Sequence, residues 1–294
     1  MVNAGKRSRL RRIEAFDVIT WLLLGIAALM IIIPLYYVVV LSFTSYPQYI
    51  KSAGFILFPN PISLDGYEQF LTNSAVPKAF LITVYLTIPG TVYNLIARVL
   101  LAYPLSRKEL PHRKFFILFT FFPMLFSGGL IPTFYVVRQT GIMNTSWAMI
   151  LPYLISVYDM MIVRSFFQSL DYAYIEAARI DGASELGILC RVVLPLSMPV
   201  LATVTLMYGV GHWNCFFPAL YYVRDTDLQP LQIVLRGILN EAQSTLEEVD
   251  PSVTAASQAM KQAAVVLTAL PVIIVYPFLQ KYFTQGMMLG GVKG

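Results

Sequence analysis

The chain has 294 residues, 57% apolar and 13% charged, with a formal net charge of +5 and a mean hydropathy of +0.66. Soluble domains carry about 25% charged residues, so this composition excludes an ordinary soluble enzyme and puts most of the chain in lipid. The positive balance comes without any basic, aromatic-interleaved soluble patch, which excludes nucleic-acid binding.

In chain order, residues 1–16 form a basic tail holding Lys6, Arg7, Arg9, Arg11 and Arg12. It looks like the head of a signal peptide, but the apolar run after it exceeds the roughly 7–15 residues of a signal core. No small-residue cleavage site interrupts that run, so the first helix is expected to stay in the mature protein. Charge-free windows long enough to cross a ~30 Å hydrocarbon core lie within 18–50, 79–97, 115–137, 139–158, 192–223 and 262–280. They predict an all-α membrane protein: six transmembrane helices in one domain over 17–285, then a tail over 286–294.

Orientation follows from Lys and Arg. With the N-terminus inside, 14 basic residues fall on the inner side and six on the outer side, which makes both termini cytoplasmic. Arg98, late in the second helix, is expected to snorkel to the inner surface. The outer segment 45–78 is punctuated by Pro59, Pro61 and Gly66, and Ser63 or Asp65 is placed to cap a short helix reaching Phe70 and Leu71. Pro89-Gly90, Pro123, Gly128-Gly129 and Pro152 interrupt the second, third and fourth helices, where neighbouring protein or water must satisfy the freed backbone. The outer loop 224–261 is acidic, and Leu228 to Leu239 predicts an extended piece followed by a helix.

Polar side chains in apolar segments are the candidate functional groups. Asp159 sits about twelve residues into the fourth helix, near the bilayer centre, where a carboxylate costs roughly 2.5–3.5 kcal/mol. It must face protein or water, either along a pathway or, protonated, in an interhelical hydrogen bond. In the fifth segment His212, Trp213, Asn214, Phe216 and Phe217 cluster. Helical spacing puts Tyr208, His212 and Phe216 on one stripe and Trp213, Phe217 and Tyr221 on another. Aromatic faces stack on sugar rings while the amide and imidazole bond hydroxyls. Ordinary helix packing accounts for the same residues equally well. Cys190 and Cys215 are too differently placed for a disulfide. With no Gly-x4-Gly-Lys-Ser/Thr, no His-Glu-x-x-His and only His112 and His212, the chain holds no expected catalytic, nucleotide or metal site.

Between the fourth and fifth segments runs EAARIDGASELGILCRVVLPLSMP, Glu176 to Pro199, within a loop over 171–199. It predicts a helix from Ile175 to Ile180, a glycine reversal at Gly182, a second helix from Ala183 to Val193, and a new start at Pro195. Glu176, Asp181 and Glu185 are acidic where a surface-lying amphipathic helix would prefer Lys and Arg. This pattern resembles the EAA loop of ABC-importer permeases. The resemblance rests on Glu176, Ala177, Ala178, Asp181, Gly182, Ala183, Leu194, Pro195 and Pro199, with Leu189 standing where the family often has an aromatic.

The tail YPFLQKYFTQGMMLGGVKG, with TSWAMILPYLISVYDMMIVRSFF and HWNCFFPALYY, is similar to the maltose-type carbohydrate permeases, closest in look to those for alginate or rhamnogalacturonan fragments. The resemblance implies a type I permease subunit without enzymatic activity, in a bacterial cytoplasmic membrane. It further implies a homologous second permease, a dimer of ATPase subunits carrying ATP and Mg, and an extracytoplasmic solute-binding protein. Glu176, Ala177, Ala178, Asp181, Gly182, Ala183, Leu189, Leu194 and Pro195 would couple to the ATPase, and Gln285, Gly286 and Lys293 would touch it from the tail. Asp159, Tyr208, His212, Trp213, Asn214, Phe216 and Phe217 would line the substrate pathway, with an acidic oligosaccharide such as alginate as the favoured cargo. A permease for a non-sugar solute, or an ATP-independent channel or secondary transporter, are the competing readings.

Overall fold

A computed structural model describes residues 15–52, 55–244 and 258–277, and among them the chain is helical, with one isolated β-bridge between Thr44 and Ile62. Helix α1 (Ala15–Ser42) is a long apolar rod whose membrane-length stretch contains no buried residue. Only its end is held. Val40 and Leu41 pack on Ile56, and the Ser42 hydroxyl lies 2.7 Å from that of Tyr67. The short helices α2 (Tyr46–Lys51) and α3 (Asp65–Thr72) follow, and the Ser63 hydroxyl accepts from the Asp65 N–H at 3.1 Å.

Helix α4 (Ala75–Ser106) is the hub. It runs unbroken through Pro89 and Pro104 and buries Leu86, Gly90, Asn94, Arg98, Ala102 and Tyr103. At 1.5 Å per residue its 32 residues span roughly 48 Å, more than a bilayer core requires. The later apolar segments are bent around it. Helices α5 (Arg113–Leu125) and α6 (Leu130–Gln139) meet at 114°, with Gly129 at φ +82° in the break. Helix α7 (Trp147–Ile150) ends in a 3₁₀ turn containing Pro152, then turns 54° into α8 (Val157–Ser169). Pro123 and Gly129 of the third segment and Pro152 of the fourth thus lie at or beside real breaks, whereas Pro89 does not interrupt α4.

Helices α9 (Tyr172–Ile180), α10 (Glu185–Ile188) and α11 (Leu194–Leu196) form the loop, with a π-helical turn at Leu189–Val193 between the last two. Pro195 has no N–H to close the ladder four residues back, which favours irregular winding there. The fifth segment then turns 84° into α12 (Met198–Trp213), stops at Asn214, and resumes as α13 (Phe217–Tyr222). A 3₁₀ turn at Thr226–Leu228 leads to α14 (Leu231–Ser244), and α15 (Gln258–Pro277) is the last described helix. Three helices (Phe16–Ser42, Ala75–Ser106, Gln258–Pro277) are long and apolar enough to cross a membrane singly, and the three bent pairs pass the same test jointly.

The main core joins α4, α8, the loop and α12 through Val99, Ala102, Met160, Val163, Ile175, Ile188, Val193 and Val204. A second cluster brings Phe70 of α3 and Trp213 against Leu231, Leu235 and Ala264. At Gly66 a methyl group would fall 2.6 Å from the Ala259 carbonyl carbon and 2.7 Å from its oxygen, so α3 reaches α15 only because that residue has no side chain. Replacing Gly66 by Ala is expected to destabilise the protein by about 1–3 kcal/mol. Thermal unfolding in detergent checks this, and an unchanged midpoint contradicts the contact.

Candidate functional site

The break between α7 and α8 leaves backbone groups that a membrane cannot satisfy, and side chains of α4 and α12 supply the partners. Asn94 Nδ2 donates to the Tyr153 carbonyl at 3.2 Å, and the Ser156 N–H donates to the Tyr208 hydroxyl at 3.0 Å. Ser156 caps α8, its hydroxyl accepting from the Asp159 N–H at 3.4 Å. Asp159 therefore lies in the first turn of a helix, where the helix dipole favours a carboxylate.

Its charge is met by Arg98, whose Nη2 lies 3.3 Å from Asp159 Oδ2 and whose side chain is wholly buried. The guanidinium carbon sits 3.9 Å from the centre of the Tyr208 ring. Arg98 does not snorkel to a surface, as its late position in the helix suggested. It is turned inward because the Asp159 carboxylate and the Tyr208 face offer it a site there. Asn94 and Arg98 are four residues apart on one face of α4, and Gly90 continues that face. A methyl group at Gly90 would fall 3.0 Å from the His212 ring, so the glycine admits the imidazole against α4.

Above this pair opens a cleft of about 440 Å³, lined by Asn94, Tyr153, Ser156, Asp159, Tyr208, His212, Asn214, Phe216 and Phe217 among others. Of the residues singled out in the sequence, Asp159, Tyr208, His212, Asn214, Phe216 and Phe217 come together here. The stop at Asn214 lets Phe216 and Phe217, assigned to different stripes of one helix, both reach the cleft. Trp213 faces elsewhere: it is buried against Phe80, ring centres 6.0 Å apart, and its indole N–H donates to the Thr268 carbonyl at 2.9 Å. Asn94, Arg98 and Ser156 were not singled out as site residues. A polar pair at four-residue spacing beside an apolar window was the signal available.

The loop 171–199 is a second constellation. Asp171 caps α9, its carboxylate accepting from the Ala173 N–H at 3.0 Å; Gly182 takes φ +76°, and Ser184 caps α10 through the Gly187 N–H at 3.2 Å. The first helix begins at Tyr172 because of that aspartate cap, three residues before the position read from the apolar pattern. Glu176, Ala177, Asp181, Gly182 and Pro195 are exposed, Ala178, Ala183 and Leu194 half-buried, and Leu189 buried in the core.

The loop is braced to the end of α4. Arg179 bonds Glu185 Oε1 at 2.7 Å, and the Tyr103 hydroxyl donates to Glu185 Oε2 at 2.7 Å. Arg179 also donates to the Tyr172 hydroxyl at 3.0 Å, which donates to Glu109 at 2.8 Å. A backbone hydrogen bond and then the Tyr172 hydroxyl hold the Glu109 carboxyl below the usual carboxylate range. Exposed Tyr174, Ile180 and Leu186 give the loop an apolar outer face beside its acids. Gln285, Gly286 and Lys293 lie outside the described residues, as do most of the two terminal tails.

The sequence profile of the family described as binding-protein-dependent transport system inner membrane component matches residues 3–289. Protein LplC of Bacillus subtilis (strain 168) is 39% identical over 283 residues, covering 96% of each chain. The polygalacturonan/rhamnogalacturonan transport system permease protein YtcP of the same organism is 38% identical, covering 95% of this chain and 98% of its own. A solved chain from a bacterial ABC transporter involved in importing the acidic polysaccharide alginate superposes with a TM-score of 0.84 at 30% identity, covering 93% of this chain and 98% of that one.

Removing one partner of a buried ion pair strands the other charge. Arg98→Met is therefore expected to cost about 3–5 kcal/mol, and adding Asp159→Asn to recover most of it. Thermal unfolding of the single and double variants checks this; equal losses in both contradict a paired Asp159.

Proposed function

The chain belongs to the family of binding-protein-dependent transport system inner membrane components, and on that premise we propose that it forms half of the pathway of an ATP-driven oligosaccharide importer. A homologous permease supplies the other half. A dimer of ATPase subunits, holding ATP and Mg, docks on the loop 171–199, and an extracytoplasmic binding protein delivers the sugar. Both termini and the loop face the cytoplasm. The chain itself breaks no covalent bond.

One observation carries the reading: the exposed loop and the cleft are joined through a single continuous helix. Tyr103 of α4 grips Glu185 in the loop, while Arg98 and Asn94 of the same helix hold the cleft floor. Five residues separate Tyr103 from Arg98, about 7.5 Å along the axis. Displacement of the loop by closing ATPases therefore pulls on the helix that shapes the cleft. In the cleft, Phe216 and Phe217 offer faces to sugar rings, and Asn214, His212 and Asn94 offer hydrogen-bonding groups to hydroxyls. The names of YtcP and of the alginate importer support a saccharide cargo.

Gly182→Val puts a β-branched residue at φ +76°, and Glu176→Lys reverses a charge on the exposed loop face. Each is expected to lower binding-protein-stimulated ATP hydrolysis by the whole complex about tenfold or more while leaving membrane insertion intact. Normal coupled turnover in both variants contradicts the coupling role.

A further inference from the structure

Among the described residues lining the cleft, Asp159 is the only charged side chain, and buried Arg98 balances it from behind. The floor is thus neutral overall, set with hydroxyl, amide and imidazole groups. A carboxylate on the cargo finds neither an unbalanced repelling charge nor a counter-ion there. Any counter-ion must come from the rim.

Helix α14 provides one. Leu231, Leu235 and Ile238 are buried on its inner face, and the Leu231 N–H donates to the Thr83 hydroxyl of α4 at 2.8 Å. That register fixes the helix's rotation and leaves Gln232 and Arg236, one turn apart, beside the cleft. Gln232 Nε2 donates to Asn214 Oδ1 at 3.3 Å, and the Arg236 guanidinium lies 5.0 Å from the centre of the Phe216 ring. Asn214 and Phe216 both line the cleft. A guanidinium against an aromatic face keeps N–H edges for a second partner, and its fork matches a carboxylate. Arg236 is exposed, and none of the described salt bridges uses it. Of the described outer acids, Asp227 pairs with Lys78 at 2.7 Å, and Asp225 caps the turn that carries Asp227.

We infer that Arg236 is a carboxylate-binding residue at the mouth of the cleft, and that the oligosaccharide carried by this chain contains uronate units. A uronate entering the cleft stacks its ring on Phe216, bonds hydroxyls to Asn214 and His212, and places its carboxylate on the Arg236 fork. The inference rests on the oligosaccharide reading of the same cleft and goes further by naming the residue of this chain that selects an acidic cargo.

The test uses the complete importer in proteoliposomes, with uptake of labelled trigalacturonate, its methyl ester and a neutral trisaccharide. Arg236→Gln is expected to reduce trigalacturonate uptake about tenfold or more relative to ester uptake, since a hydrogen-bonded charge pair is lost. Arg236→Lys, which keeps the charge but not the fork, is expected to recover part of it. Equal fractional losses for acid and ester assign Arg236 a docking or structural role and overturn the inference, as does undiminished acid uptake. A wild-type complex that carries the ester or the neutral sugar but not the acid overturns the uronate class and leaves the oligosaccharide reading standing. Turnover of a non-saccharide solute alone overturns both.

Discussion

The buried pair of Arg98 and Asp159 is the constraint around which the rest of the chain is arranged, because neither charge is tolerable there without the other. A lone carboxylate at that depth costs several kcal/mol, and a lone guanidinium at least as much. Joined at 3.3 Å, with the guanidinium on the Tyr208 ring, they fix three helices relative to one another: α4 gives the arginine, α8 the aspartate and α12 the tyrosine. Hydrophobic burial cannot do this in lipid, where the surroundings are as apolar as the helix faces. A polar contact with one geometry sets register where apolar packing alone would let helices slide.

The same residues make the broken backbone between α7 and α8 affordable in the membrane. Asn94 takes the Tyr153 carbonyl and Tyr208 takes the Ser156 N–H, so two of the freed backbone groups find protein partners. An irregular, partnered stretch at this depth is where membrane proteins build solute sites. The unbroken course of α4 then carries this geometry to its far end, where Tyr103 meets the Glu185–Arg179 clamp. Cleft and loop are held at neighbouring points of one continuous helix, a mechanical arrangement suited to a subunit that is driven from one side and binds on the other.

Much of this was legible in the residues. Charge-free windows marked the apolar segments, because the cost of a charge in hydrocarbon leaves few ways to write one. The glycine reversal at Gly182 was equally plain, since few other residues take a positive φ there without strain. What hydropathy does not encode is which helix lies beside which. Arg98 and Asp159 are 61 residues apart in sequence, and nothing local announces their pairing. Trp213 shows the same limit from the other side: the family resemblance placed it among the pathway residues, yet its N–H is claimed by Thr268 of α15. Gly90 reads as a helix breaker, but its role is to let His212 approach α4.

The central claim is that this chain works as one part of an ATP-driven assembly whose motor grips the loop 171–199. Intact-complex mass spectrometry after co-expression with its genomic neighbours and mild-detergent purification addresses it most directly. The account predicts one copy of this chain, one second permease and two ATPase copies, with the ATPases lost when the loop face is altered. A chain that purifies alone and still moves solute without ATP would contradict it.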